Sequence, residues 1–169
     1  MDVFNNEVVA NFPDIHKIDF IKINKKYFNV ILVNFFLFLL PLLSILFVLH
    51  QYIFNDEVLK YSALIYILFF VFFGLILVYN MLSFPTRKYL VREKDISYKS
   101  GLFYKKMTTV PFSRIQHVEI DEGPISRYYK LASLSVYTAG DSSDDLVIKG
   151  LSREKALQIK EFISSKINE

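Results

Sequence analysis

Apolar and polar positions divide this chain into two regimes. Residues 28–49 and 61–82 are two apolar runs of 22 residues each, and neither contains Asp, Glu, Lys or Arg. An α-helix rising about 1.5 Å per residue would carry each run roughly 33 Å, enough for a hydrocarbon core of about 30 Å. Residues 83–169 are too few to bury two helices that are apolar all round, so the pattern predicts a transmembrane hairpin over 27–82. The first run follows a stretch holding Asp2, Glu7, Asp14 and Asp19, and no small-residue cleavage site follows it. Both runs are therefore expected to be retained rather than removed as a signal peptide.

Beyond Arg87 the period changes to two. Residues 88–92, 95–99, 104–112, 115–121, 133–138 and 145–149 read as strands, separated by Ser100 and Gly101, by Gly123 and Pro124, and by Gly140 with the residues after it. In the segment 133–138, Leu134 and Val136 are expected to face inward and Ser133 and Ser135 outward. The chain closes with an amphipathic helix opened by Ser152 as N-cap, with Ala156, Ile159, Phe162, Ile163 and Ile167 on its apolar stripe. The fold expected is a membrane α-helical hairpin plus an α+β domain over 83–169: a bent antiparallel sheet or barrel capped by a C-terminal helix. Residues 1–26 form a separate N-terminal segment in this reading.

Composition supports the division: 53% of the 169 residues are hydrophobic, with 17 Phe and 11 Tyr, yet 22% are charged. Charge placement sets the orientation. Lys22, Lys25 and Lys26 precede the first run and Arg87, Lys88 and Arg92 follow the second, whereas the connector 51–60 has Lys60 against Asp56 and Glu57. Both termini are expected to be cytoplasmic. Within the runs, Asn29, Asn34, Ser44 and Asn80 are uncharged, Pro41 suits a kink, and Gly74 suits a close helix approach. The lack of an ionisable residue in the middle of either run argues against a proton relay, an ion pathway or a transporter.

Catalytic chemistry has little material here. There are no cysteines, which removes disulfides, thiol nucleophiles and thiolate metal sites. Histidines number three. His117 alternates with Glu119 and Asp121 along one strand face, a row that a solvated strand surface explains as well as a cation site does. Residues 141–145 are rich in Asp and Ser, but their spacing fits no calcium loop and Gly140 ahead of them suits a hairpin turn. No G-x-x-x-x-G-K, G-x-S-x-G or H-E-x-x-H pattern occurs. No cofactor, metal site or nucleic-acid partner is expected, and no enzymatic activity.

Two features point to binding. Residues 83–169 hold 15 Lys and Arg against 11 Asp and Glu. Lys22, Lys25, Lys26, Arg87, Lys88 and Arg92 are thus candidates for contact with anionic head groups. The alternation around Ser133, Ser135 and Tyr137 suggests an exposed sheet edge for a protein partner.

Pro111, Arg114, Ile115, Gln116 and Val118, then Gly123 and Pro124, then Val136, Thr138, Ala139 and Gly140, form a pattern that resembles the bacterial pleckstrin-homology (PH) domain family of membrane proteins, the YdbS-like group. Tyr89, Leu90, Val91, Arg92, Ile96 and Gly101 resemble that family's opening hairpin, and Tyr129 and Lys130 stand where it often has a glycine. The resemblance implies a PH-like fold and a multi-pass protein of the bacterial inner membrane. It also implies a partner, either a larger family member with repeated PH domains or a second copy of the chain. The function expected is a non-enzymatic, membrane-anchored module that scaffolds or docks a protein at the cytoplasmic face. The alternative is a lipid- or small-molecule-sensing component of an envelope-stress response.

Overall fold

The computed structural model describes residues 19–139 and 146–167. Strand β1, Ile21–Lys22, comes first, followed by helix α1, Tyr27–Tyr52, the short helix α2, Asp56–Leu59, and helix α3, Ser62–Ser83. The side chain of Asn24 accepts from the Lys26 N–H at 2.9 Å and tightens the entry to α1. Asn55 caps α2 by accepting from the Val58 N–H at 3.2 Å. A 3-10 turn with Pro85 in its first turn, Phe84–Thr86, ends α3. Both α1 and α3 are long and apolar enough to cross a membrane, and both are almost wholly exposed within the chain. Helix α1 starts one residue before and ends three after the expected 28–49, and α3 starts and ends one residue later than the expected 61–82.

The two helices touch through aromatic rings: Phe35 meets Phe73 at 6.0 Å and His50 meets Tyr66 at 5.7 Å. Their polar side chains bond within their own helices. Asn34 donates to the Val30 carbonyl, Ser44 to Leu40 and Asn80 to Ile76, each at 2.9 Å. Such i−4 bonds satisfy the polar group without a cross-helix partner. Gly74 permits no close approach, because a Cβ there would meet nothing within 4 Å.

The remaining elements are β2, Lys88–Val91; β3, Asp95–Ser100; β4, Lys106–Pro111; a 3-10 turn, Phe112–Arg114; β5, Ile115–Asp121; α4, Pro124–Tyr128; β6, Leu131–Thr138; β7, Leu146–Ser152; and α5, Arg153–Ile167. Among the described residues the strands form two antiparallel sheets, ordered β1-β2-β3-β4 and β5-β6-β7. The helical hairpin of α1 and α3 thus lies inside the first sheet's chain path, with β1 before it and β2 after it. Residues expected to be a separate N-terminal segment contribute directly to the domain: Ile21 pairs with Tyr89, and Ile23 is buried in its core. β1 is too short to carry a sequence period, so only its pairing reveals it.

The core lies between the sheets and α5. Tyr89, Ile96 and Val110 from the first sheet meet Val118, Leu134, Val136 and Ile148 from the second, with Ala156, Ile159 and Ile163 closing it from α5. Ser152 opens α5 by accepting the Lys155 N–H at 3.4 Å. Phe162, expected on the apolar stripe, is 38% exposed and only edges onto Phe112, whereas Ile163 is fully buried.

Candidate functional site

Register brings together a row of cations that the sequence scatters over 78 positions. Lys22 of β1 stands opposite Lys88 of β2, and Lys88 stands opposite Lys99 of β3. Neighbouring strands lie about 4.8 Å apart, and residues directly opposite share one face, so the three ammonium groups form a line across the sheet. Like charges so placed are destabilising by tenths of a kcal/mol or more. Among the described residues the ion pairs are Arg92 with Asp95, Arg153 with Glu122, and His117 with Glu119 when the imidazole is protonated. None of them neutralises the lysine row.

The row sits at the helix ends. Lys22 precedes α1 by five residues and Lys88 follows the 3-10 turn that ends α3. Beside it opens a cleft of about 670 Å³ lined by Lys22, Lys25 and Arg87 together with the apolar Phe28, Met81 and Phe84. The Arg87 guanidinium also lies 5.8 Å from the centre of the Tyr27 ring. Cationic groups over an apolar floor match an anionic head group above its acyl chains.

Of the six cations singled out for head-group contact, Lys22, Lys25, Arg87 and Lys88 converge here. Lys26 turns to another cleft, with Glu122, Arg127 and Arg153. Arg92 lies at the far turn between β2 and β3, where its Nε donates to Asp95 Oδ1 at 2.7 Å. Lys99, outside those six, belongs to the row. Strand register is the missing signal, since alternation reports the face of a residue but not its cross-strand neighbour.

The expected partner edge is corrected. Ser133, Ser135 and Tyr137 belong to β6, which pairs with β5 on one side and β7 on the other, so its backbone groups are engaged. Ser135 is buried and donates to Asp121 Oδ2 at 3.0 Å, and the Tyr137 hydroxyl donates to Glu119 at 3.2 Å. The open edge belongs to β4. Among the described residues no backbone hydrogen bond reaches it from the side away from β3, and Lys106, Met107, Thr109 and Pro111 are exposed.

His117, Glu119 and Asp121 are each engaged by a neighbour. The His117 ring stacks on Tyr137 at 4.2 Å, Asp121 accepts from Ser135, and no group of three metal-ligating side chains occurs among the described residues. The Asp- and Ser-rich stretch 141–145 lies outside the described residues.

Two tyrosines near the row have perturbed acidity. Burial raises the Tyr89 hydroxyl above the usual tyrosine range. Burial also raises Tyr98, against an opposing pull from the Arg87 guanidinium.

Comparison with known proteins agrees with this architecture. The family model described as bacterial PH domain matches residues 28–167. The UPF0699 transmembrane protein YdbS of Bacillus subtilis (strain 168) is 34% identical over 77 residues, 46% of this chain and 46% of the relative. The UPF0699 transmembrane protein YdbT of the same organism is 29% identical over 79 residues, 46% of this chain and 16% of that protein. The matched stretch therefore spans less than half of either relative. No solved structure matches the chain. With two apolar helices, relatives that are transmembrane proteins and a family match over most of its length, this chain is a membrane protein belonging to the bacterial PH domain family.

Proposed function

We propose that this chain is a non-enzymatic docking module, held at the cytoplasmic face of the inner membrane, that recruits a second protein of its own domain type. Domain boundaries near 27 and 83 and cytoplasmic placement of both termini rest on the Lys and Arg excess at the outer ends of α1 and α3. The observation that carries the docking reading is the open outer edge of β4. A strand added there gains main-chain hydrogen bonds, and its side chains set specificity. Of the other edges, β1 offers two residues, α5 packs on β5, and the Asn24 N–H donates to the Gly150 carbonyl of β7 at 2.9 Å. Lys105 and Lys106 at the start of β4 favour an acidic residue at that end of the incoming strand. A longer transmembrane relative beside a shorter one in one organism supports a partner of the same family.

A single cysteine tests this in a chain that otherwise has none. With Met107→Cys, a thiol cross-linker applied to source membranes should join the chain to a copy of itself or to a larger bacterial PH-domain protein. Phe162→Cys, beside Phe112 at the other end of the strand, should not form that product. Absence of the adduct at position 107 would contradict the reading.

The unneutralised row of Lys22, Lys88 and Lys99 favours a second reading, recognition of anionic head groups as a lipid-sensing function. Its test is thermal stability of the full chain in anionic and in zwitterionic bilayers. Binding to the folded state alone raises stability, so the anionic bilayer should stabilise the chain, less so at high salt and in Lys88→Glu. Equal stability in both bilayers removes this reading.

A further inference from the structure

The loop joining β3 to β4, residues 101–105, exposes its most apolar side chains. Phe103 is 87% exposed and Tyr104 83%. A large aromatic surface left in water forfeits the free energy of its burial. The loop has a fixed shape. Gly101 has φ +103, and a Cβ there would fall 1.9 Å from the Tyr104 carbonyl oxygen, so the turn admits only glycine and holds Phe103 and Tyr104 at its tip.

The tip lies beside a membrane-spanning helix. The Phe103 ring stacks on Tyr79 of α3, with centroids 6.3 Å apart and planes within 11°. Tyr79 is inside α3, four residues before its end at Ser83, a depth of about 6 Å at 1.5 Å per residue. Tyr79, Val78 and Met81 are themselves exposed on that helix. Lys99, Lys105 and Lys106 flank the loop. An aromatic tip with basic shoulders matches the boundary between head groups and acyl chains, where amphipathic rings concentrate and Lys meets anionic lipid.

We infer that this loop is a third membrane contact, inserting Phe103 and Tyr104 into the head-group boundary of the bilayer that α1 and α3 cross. The lipid surface is the occupant because the ring packed on Phe103 belongs to the span itself. Insertion would fix the tilt of the whole domain. It would also place β4, which begins at Lys106, with its first residues at the membrane and its last at Pro111 away from it.

The chain has no tryptophan, so a single substitution gives a lone indole whose emission is selected by excitation beyond the tyrosine band. Phe103→Trp in the full chain, reconstituted in liposomes containing acyl-brominated lipid, should show blue-shifted emission and a loss of intensity approaching that of Tyr79→Trp. Phe162→Trp, at the far end of β4, should keep its intensity. Red-shifted, unquenched emission at position 103 would overturn the proposal. Blue-shifted but unquenched emission would overturn it too, because protein rather than lipid would then cover the loop.

Discussion

The ring of Tyr27 fills the space above the bare Cα of Gly150, where a Cβ would come within 2.5 Å of the ring. Tyr27 is the first residue of α1, and Gly150 lies in β7. The start of the first membrane span is thereby seated on the second sheet, close to the bond from the Asn24 N–H to the Gly150 carbonyl.

Substituting Gly150 should unseat that contact. Its φ of +83 disfavours any Cβ, and the Tyr27 ring obstructs one. Gly150→Ala is expected to cost about 2–3 kcal/mol, left-handed strain and overlap together. Thermal unfolding in detergent measures it. The double variant with Tyr27→Ala should cost less than the sum of the singles, because the overlap disappears.

Lys130 offers the opposite change. It follows α4 at φ 58, a left-handed conformation that a branched backbone carbon resists. Lys130→Gly should raise stability by up to about 1 kcal/mol in the same measurement.

Helix α5 separates two neighbouring side chains. Ile163→Asp places an unpaired carboxylate in a site with no exposure and should unfold the domain, a cost of several kcal/mol. Phe162→Asp removes only a partly exposed ring at the edge of Phe112 and should cost about 1 kcal/mol. Circular dichroism of the two variants distinguishes a helix packed through Ile163 from one packed through both.

The half-buried side chain of Tyr98 predicts an alkaline weakness. An unfolded tyrosine ionises near 10.0, and burial in the fold raises that value, so the folded chain keeps the proton longer. This contribution is fully present below the unfolded value and is lost as pH rises from there through the folded one. Stability of the natural chain should therefore fall more steeply above that point than stability of Tyr98→Phe. Parallel pH curves would contradict it.

Much of this fold is legible in the sequence, and the exceptions share causes. Long apolar runs announce α1 and α3, and alternation locates most strands. Alternation does not say which strands are neighbours, so β6 was expected at an edge and lies in the middle, and Lys22, Lys88 and Lys99 could not be seen as a row. Alternation places Leu134 and Val136 in the core and Ser135 on the opposite face, as expected, but it does not report that neighbours on that face, Asp121 among them, bury Ser135. Arg92 resembled its juxtamembrane neighbours until β2 carried it to the opposite end of the sheet.

The central claim is that the segment before the hairpin and the strand after it form one sheet, clamping the domain against the membrane by both ends of the hairpin. Lys22 and Lys88 are direct partners in that sheet. Opposed residues in an antiparallel pair have Cα atoms about 4.5–5.5 Å apart, inside the range a disulfide spans. Lys22→Cys with Lys88→Cys, in a chain with no other cysteine, is predicted to form an intrachain disulfide under mild oxidation in membranes, visible as a mobility shift reversed by reductant. No disulfide, or one that links two chains, would contradict the clamp.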